Sequence, residues 1–383
     1  MNKIGQVTYC GQNYGSVLQC YATQHVLKKY NIECVLIKRK EKGIGCLLHS
    51  AEFRWDRIYK YIRYPKYKKQ FDHMLRSTSE KYTSGMNPAS SKRINEFINK
   101  HINSVEISYF EMKKISRKED YIAFFSGSDQ IWSGTWFIKN KMWFLRFAPK
   151  NKRVAWMPSF GSEMVEEYNI PTYKKYISEY EYLSSREQSG AEIITQLTGR
   201  EAIALADPVI LLTTDEWKNF AYEYTRDEKY ILLFFLDTPS ETALEMIKKM
   251  REETGYKTVV YSYEHECLKG TETRNGDPRD FVSVINNAEF VMTDSFHACM
   301  FSIMLNVPYY VFYRNTNYIS TQSARIENLL ETYNMKERLI KEPRIVEKKD
   351  FQIEQKYCEE ITYKKRKEVL KYLDGIIKNY NKE

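Results

Sequence analysis

In the run TDSFHACM, residues 293–300, His297 follows three consecutive residues, Thr293, Asp294 and Ser295, that can each cap a helix start. A short strand-compatible stretch, 289–292, precedes them, so the spacing predicts a strand, a sharp turn and a helix beginning near Asp294 or Ser295. His297 then falls in the first helical turn, where backbone N–H groups lack intrahelical partners and the helix dipole is positive. Such a position attracts phosphate or carboxylate. It also disfavours imidazolium, leaving a neutral ring that accepts a proton. The competing reading of these residues is a histidine packed at a helix start with its ring satisfied by neighbours.

Other residues with usable chemistry recur at predicted strand ends. Asn13 and Tyr14 lie in the loop GQNYG, 11–15, and offer a donor and a stacking face, although turn chemistry is the simpler account of Asn13. Ser128, Asp129 and Gln130 follow the apolar run 121–125, with an Asx turn as the plainer account of Asp129. Arg186 follows the predicted short strand 182–185, and Arg325 falls in the first turn of a helix predicted from about Ser323. Arg186 could clamp an anion through its guanidinium fork, or simply face solvent.

The elements that must position these groups follow from periodicity. Residues 3–9 alternate as a strand, 16–30 repeat apolar residues at helical spacing, and 33–39 return as a strand. In such a β-α-β unit the 11–15 loop lies at the carboxyl end of the first strand, where open α/β sheets bind ligands. Further strands are predicted at 121–125, from 152 to Ser159, and at 202–212, the last closing on Asp207 and Pro208. Residues 230–236, 240–253 and 257–263 then read as strand, helix and strand. The fold class expected is α/β, with two Rossmann-like domains: an N-terminal domain over 1–207, a C-terminal domain over 208–340, and helices at 341–383 packing back on the first. Periodicity alone leaves a single large doubly wound sheet as the alternative. Residues 40–115 show no clean strand signal and read as a helical insertion.

At 383 residues the chain favours two cores over one, and 43% hydrophobic with 28% charged residues excludes a disordered polymer. The net charge of +9 suits an anionic small molecule, nucleic acid or an acidic lipid surface alike. No nucleic-acid-binding module is visible, and none is expected as a partner. Seven cysteines without a CxxC pair argue against a zinc ribbon and a disulfide framework. The chain shows no apolar leader and no stretch long enough to span a membrane, so it reads as cytoplasmic, with peripheral contact at the inner membrane face left open. No cluster of metal ligands stands out, and no metal is expected.

The segments GQNYGSVLQCYATQHVLKK, FFSGSDQIWS, SFGS, SSREQSGAEII, LADPVILLT, VMTDSFHACMFSIMLNVP and SARIENLL occur in an order and near a spacing that resembles the polysaccharide pyruvyl transferase family. The resemblance covers most of the chain apart from 40–115 and the tail. It implies a GT-B-like pair of Rossmann-like domains facing a cleft, and an enzyme that moves the enolpyruvyl unit of phosphoenolpyruvate onto two hydroxyls of a cell-surface saccharide, often on a lipid carrier. A cyclic ketal forms and phosphate leaves, with phosphoenolpyruvate as donor substrate and no cofactor. The resemblance further implies His297 of the S-F-H motif and Arg186 of the R-E-x-S-G motif as catalytic residues. Arg325, Asn13, Tyr14, Ser128, Asp129, Gln130, Ser295 and Phe296 would bind substrate, with the 40–115 segment on the acceptor side and 208–340 on the donor side. Ala298 departs from the glycine common in the family and adds a methyl group at a close backbone approach. A nucleotide-sugar glycosyltransferase of the same plan, or a non-catalytic saccharide-binding protein, are the alternatives.

Overall fold

The computed structural model describes residues 1–40, 44–81, 85–137, 140–223, 228–314 and 323–380. Its first half runs β1 (Lys3–Val7), α1 (Tyr14–Lys29), β2 (Glu33–Arg39), α2 (Ile44–Arg63), α3 (Lys68–Lys81), α4 (Pro88–His101), β3 (Ser104–Ile107), α5 (Tyr109–Ile115), β4 (Tyr121–Ser126) and β5 (Arg153–Ala155). There follow α6 (Ile170–Ile177), β6 (Ser184–Ser185), α7 (Gln188–Thr198), β7 (Ile203–Ala204) and α8 (Thr214–Phe220). The second half runs β8 (Tyr230–Phe234), α9 (Glu241–Thr254), β9 (Lys257–Tyr261), β10 (Glu272–Arg274), α10 (Pro278–Asn286), β11 (Phe290–Thr293), α11 (Phe296–Leu305), β12 (Tyr309–Val311), α12 (Ser323–Thr332) and α13 (Gln355–Tyr380).

Ten of the strands form two separate five-stranded sheets rather than one, ordered β3-β2-β1-β4-β5 and β10-β9-β8-β11-β12, and β6 pairs with β7 apart from them. Every neighbouring pair in both is parallel. Parallel strands covered on both faces need near-continuous apolar runs, and YILLF of β8 is buried throughout. Because the order is the same in both sheets, each has a switch point, between β1 and β4 in the first and between β8 and β11 in the second. Chain leaving those four strands at their carboxyl ends is where ligands gather in such sheets.

One face of each sheet contributes to a single apolar cluster that spans both, while the other face packs on a cluster of its own. Tyr14, at the start of α1, is fully buried and reaches across: its hydroxyl lies 2.6 Å from Ser262 Oγ and donates to the Gly276 carbonyl at 2.8 Å. Its ring stacks on Phe281 with centroids 4.8 Å apart. α13 returns across the first half, where Arg366 Nε donates to the Ile210 carbonyl at 2.6 Å and the Tyr372 hydroxyl to the Ala155 carbonyl at 3.1 Å.

The 40–115 segment differs from a helical insertion in two respects. β3 is an edge strand of the first sheet, with Leu36 opposite Ser104, and its half-exposed SVEI pattern carries no apolar run to betray it. α4 contacts the second half, where Ser90 Oγ donates to Asn275 Oδ1 at 2.9 Å. The strand expected over 202–212 shrinks to Ile203–Ala204, because Pro208 has no N–H for a ladder and the Asp207 side chain caps a 3₁₀ turn over Pro208–Leu211. The 182–185 strand likewise shortens to Ser184–Ser185. α1 begins at Tyr14, with Asn13 as its cap, accepting from Ser16 N at 3.2 Å.

Tyr14→Phe keeps the ring contacts and deletes the hydroxyl bonds between the halves. Chemical denaturation should show a loss of about 1–3 kcal/mol, since the Gly276 carbonyl and Ser262 hydroxyl stay buried.

Candidate active site

Each side chain of the TDS turn has a separate task. Thr293 Oγ1 donates to the Phe234 carbonyl at 2.6 Å and accepts from Ser295 N at 3.0 Å. The Asp294 carboxylate accepts from Leu236 N at 2.7 Å and Asp237 N at 3.0 Å, tying the chain after β8 to the chain after β11. Ser295 is the cap of α11, its hydroxyl accepting from Ala298 N at 3.4 Å. His297 therefore occupies the first turn of a helix buried along its whole length. The start of α1 abuts its ring: a Cβ built on Gly15 would lie 2.0 Å from His297 Nδ1, so only glycine fits that approach.

His297 Nε2 faces Asp207, 3.4 Å from Oδ2. The same oxygen accepts from Arg186 Nη1 at 2.8 Å and from Ser128 Oγ at 3.1 Å, while Oδ1 accepts from Val209 N at 3.1 Å. Burial alone would raise the Asp207 carboxyl, but the His297 ring facing it, and then the charge and hydrogen bond of Arg186, hold it well below the ordinary carboxylate range. The carboxylate facing Nε2 favours the tautomer that carries its hydrogen on that nitrogen.

Cations crowd the other side. The Arg186 and Arg325 guanidinium carbons lie 4.7 Å and 5.8 Å from the Phe296 ring centroid, so both groups pack against the phenyl ring. With the Gln130 amide turned so that its oxygen faces Arg325, it accepts from Nε at 3.1 Å and Nη2 at 2.8 Å. Burial, then the charges of Arg186 and Arg314, pull Arg325 down to about 9. Arg314 Nε lies 3.4 Å from Asp294 Oδ2, and burial nonetheless raises the Asp294 carboxyl. Arg186 Nε and Nη2 are buried without a hydrogen-bond partner among the described residues. Glu187 Oε1 accepts from Ser159 Oγ at 3.1 Å, Phe160 N at 2.6 Å and Gly161 N at 3.3 Å, which shapes the SFGS loop beneath.

A cavity of about 270 Å³ opens where the two switch points face each other. Tyr9, Asn13, Asp129 and Gln130 line it from the first sheet, and Ser295, Phe296, His297, Arg314 and Arg325 from the second half. Asp129 adopts a left-handed backbone, φ 53°, its Oδ1 accepts from Gln130 N at 2.8 Å while Ile131 N donates to its carbonyl at 2.9 Å rather than to its side chain, and the residue borders the cavity. Three sequence-predicted residues lie elsewhere. Tyr14 is locked in the contact between the halves, while Ser128 and Arg186 sit behind the cavity as partners of Asp207. A larger surface depression, about 720 Å³, borders β9 and β10 and holds none of these residues.

Asp207 and Arg314 are the groups that sequence reasoning passed over. Asp207 stands at the end of a short strand, the placement that marked Asp129 and Arg186, but the apolar run around it hid the turn. Arg314 follows the YYVFY run in the same way. The assembled site can hold a small dianion between guanidinium groups and the α11 terminus, and move a proton through an imidazole oriented by a carboxylate.

The family model described as polysaccharide pyruvyl transferase matches residues 13–316. Among curated proteins, none matches the chain. Among solved structures the chain is similar to the UDP co-structure of S. aureus MnaA, with 10% identity, a TM-score of 0.51, and 99% of this chain and 97% of that one covered. It is also similar to a glycosyltransferase from Rickettsia africae, with 10% identity, a TM-score of 0.49, and coverage of 100% and 98%. The first likeness is one of fold: two Rossmann-like domains facing a cleft, GT-B-like.

Asp207→Asn leaves Arg186 buried without its counter-ion and should cost about 3–5 kcal/mol at pH 7. A carboxylate held low in the folded state stabilises above its unfolded pKa of about 3.9, and that contribution is lost as pH falls through the folded value. The stability gap between wild type and variant in urea should therefore narrow only below about pH 4. Arg325 has the opposite sign: its charge costs stability at neutral pH, and the cost fades as pH rises through about 9. Arg325→Met should leave the ligand-free protein as stable as wild type or about 1 kcal/mol more stable in denaturant titrations.

Proposed function

The chain belongs to the polysaccharide pyruvyl transferase family, and from that premise we propose that it transfers the pyruvyl unit of phosphoenolpyruvate to two hydroxyls of a sugar in a cell-surface polysaccharide or its lipid-linked precursor. The observation that supports this donor is the gathering of three guanidinium groups, those of Arg186, Arg314 and Arg325, around one cavity. Arg325 and Arg314 line it, Arg186 packs against Phe296, and Arg325 is held at about 9 largely by burial beside like charges. A ligand bearing both phosphate and carboxylate relieves that repulsion, and guanidinium groups match both.

In this reading the donor sits against Ser295, Phe296 and the α11 terminus, with Arg314 and Arg325 on its charged groups. A proton reaches C3 of the enolpyruvyl unit, C2 becomes electrophilic, and a sugar hydroxyl adds there and loses its proton. The C2–O bond to phosphate then breaks, its electron pair leaving with phosphate, and the second hydroxyl adds to C2 and closes the ketal. One of the two hydroxyl protons balances the proton gained at C3, and the other leaves with phosphate. His297 is the proton-transfer group, and Asp207, steadied by Arg186 and Ser128, is the positioning residue that orients its ring. The acceptor approaches from the first-sheet wall, past Asn13, Asp129 and Gln130.

Incubating the protein with phosphoenolpyruvate and a panel of nitrophenyl and lipid-linked sugars should yield a sugar carrying the added pyruvate by mass spectrometry, with release of phosphate. His297→Ala should lower kcat by about 10²–10⁴-fold. Undiminished ketal formation in that variant would remove His297 from the proton transfer. Nucleotide release from a sugar nucleotide, with no phosphate release from phosphoenolpyruvate, would replace the proposal with a glycosyltransferase.

A further inference from the structure

Among the described residues, large exposed apolar side chains occur singly or in pairs except on α2, where Trp55 (71% exposed), Ile58 (47%), Tyr59 (58%) and Ile62 (76%) stand together. At about 100° per residue these four positions fall within one sector of the helix roughly 100° wide. Arg54 and Arg63, both exposed, flank that sector on either side. The opposite face is firmly anchored. Lys60, 1% exposed, donates to the Phe137 carbonyl and, at 3.1 Å, to Asn169 Oδ1. Tyr61 packs on Phe71, with centroids 5.4 Å apart, in a small aromatic cluster with Phe137 and Tyr168. The apolar sector therefore faces outward because the helix is held by its other side, and a contiguous exposed apolar patch marks a surface that something covers.

We propose that α2 is a membrane-docking helix that lies in the headgroup region of an anionic phospholipid bilayer, inserting Trp55, Ile58, Tyr59 and Ile62 and laying Arg54 and Arg63 against lipid phosphates. The composition is that of an interfacial helix: aromatic and branched aliphatic residues on one face, arginines at its borders, whose stems lie along the apolar surface while their heads reach phosphate. A second copy of the chain fits poorly, because a two-fold contact through this face brings Arg54 and Arg63 of one copy against the same residues of the other. No helix among the described residues is long and apolar enough to cross a membrane. α2 rests on the chain at 134–137 through Lys60 and Asn169, the latter donating to the Gly134 carbonyl at 2.8 Å. Ile131 and Trp143, on either side of that stretch, line the cavity. Docking would thus bring the acceptor wall of the cavity toward the bilayer. That consequence rests on the proposed lipid-linked acceptor, whereas the docking itself is measured without donor or acceptor, so the two readings fail separately.

Co-sedimentation of the full chain with phosphatidylcholine vesicles, with and without phosphatidylglycerol, tests the proposal. Binding should favour the anionic vesicles by about tenfold or more and weaken with added salt. The double variant Trp55→Ser/Ile62→Ser should bind about tenfold or more weakly with an unchanged Tm, since both side chains face outward. Arg54→Gln/Arg63→Gln should lose about fivefold per charge on anionic vesicles and little on neutral ones. Failure of the wild-type chain to bind either vesicle, or equal binding by the Trp55/Ile62 variant, would overturn it. So would a wild-type dimer in light scattering that becomes monomeric in that variant, which would assign the face to a second copy.

Discussion

One oxygen of a buried carboxylate organises the site. Asp207 Oδ2 receives Arg186 Nη1 and Ser128 Oγ and stands 3.4 Å from His297 Nε2. These residues come from the ends of β4, β6 and β11 and from the turn after β7, so the carboxylate ties the first half of the chain to the helix of the second that carries the histidine. A charge so deeply buried is tolerated because its partners surround it, and each partner is in turn fixed by the others. Removing any one leaves a buried polar group uncompensated. Tyr14 performs the apolar counterpart of that task a short distance away, where its ring and hydroxyl join the same two halves.

Donor capacity is left over on the guanidinium side once Asp207 is satisfied. Arg186 keeps two nitrogens without partners, and Arg325 is buried beside Arg186 and Arg314 with a neutral amide as its hydrogen-bond partner. A site in this state is costly without ligand, and it is the kind of strain that a functional cavity retains where a purely structural core would not. The helix terminus adds to the same field, because Ser295 caps one N–H of α11 and His297 lies in its first turn. A donor with two anionic groups answers the whole arrangement at once, which is why charge carries the functional reading further than shape does.

The framework places this field where two sheets of the same strand order turn their switch points toward each other. β1 and β4 deliver Tyr9, Asn13, Asp129 and Gln130, while β8 and β11 deliver Leu236 and the Ser295–His297 turn. α4 and α13 close the arrangement by bonding to both halves or returning to the first. α2 and α3 contribute a separate aromatic cluster that carries the exposed face of α2 beside the cavity wall.

Local patterns were enough to read much of this in the sequence. The β-α-β start, the buried strands at 121–125 and 230–234, and the TDS cap before His297 each follow from periodicity or capping chemistry within a few residues, and those rules act locally. The family resemblance rested on short motifs of the same kind. Contacts made far along the chain were not legible. β3 is a strand because β2 offers it an edge, Pro208–Leu211 is a turn because Asp207 caps it, and Tyr14 belongs to the contact between halves because Ser262 and Gly276 lie opposite. The chain by itself determined which residues could carry charge or a proton and which strand ends would hold them. Only the tertiary structure decided that Asp207 rather than solvent faces His297, because a buried carboxylate takes its meaning from partners that are distant in sequence and adjacent in space.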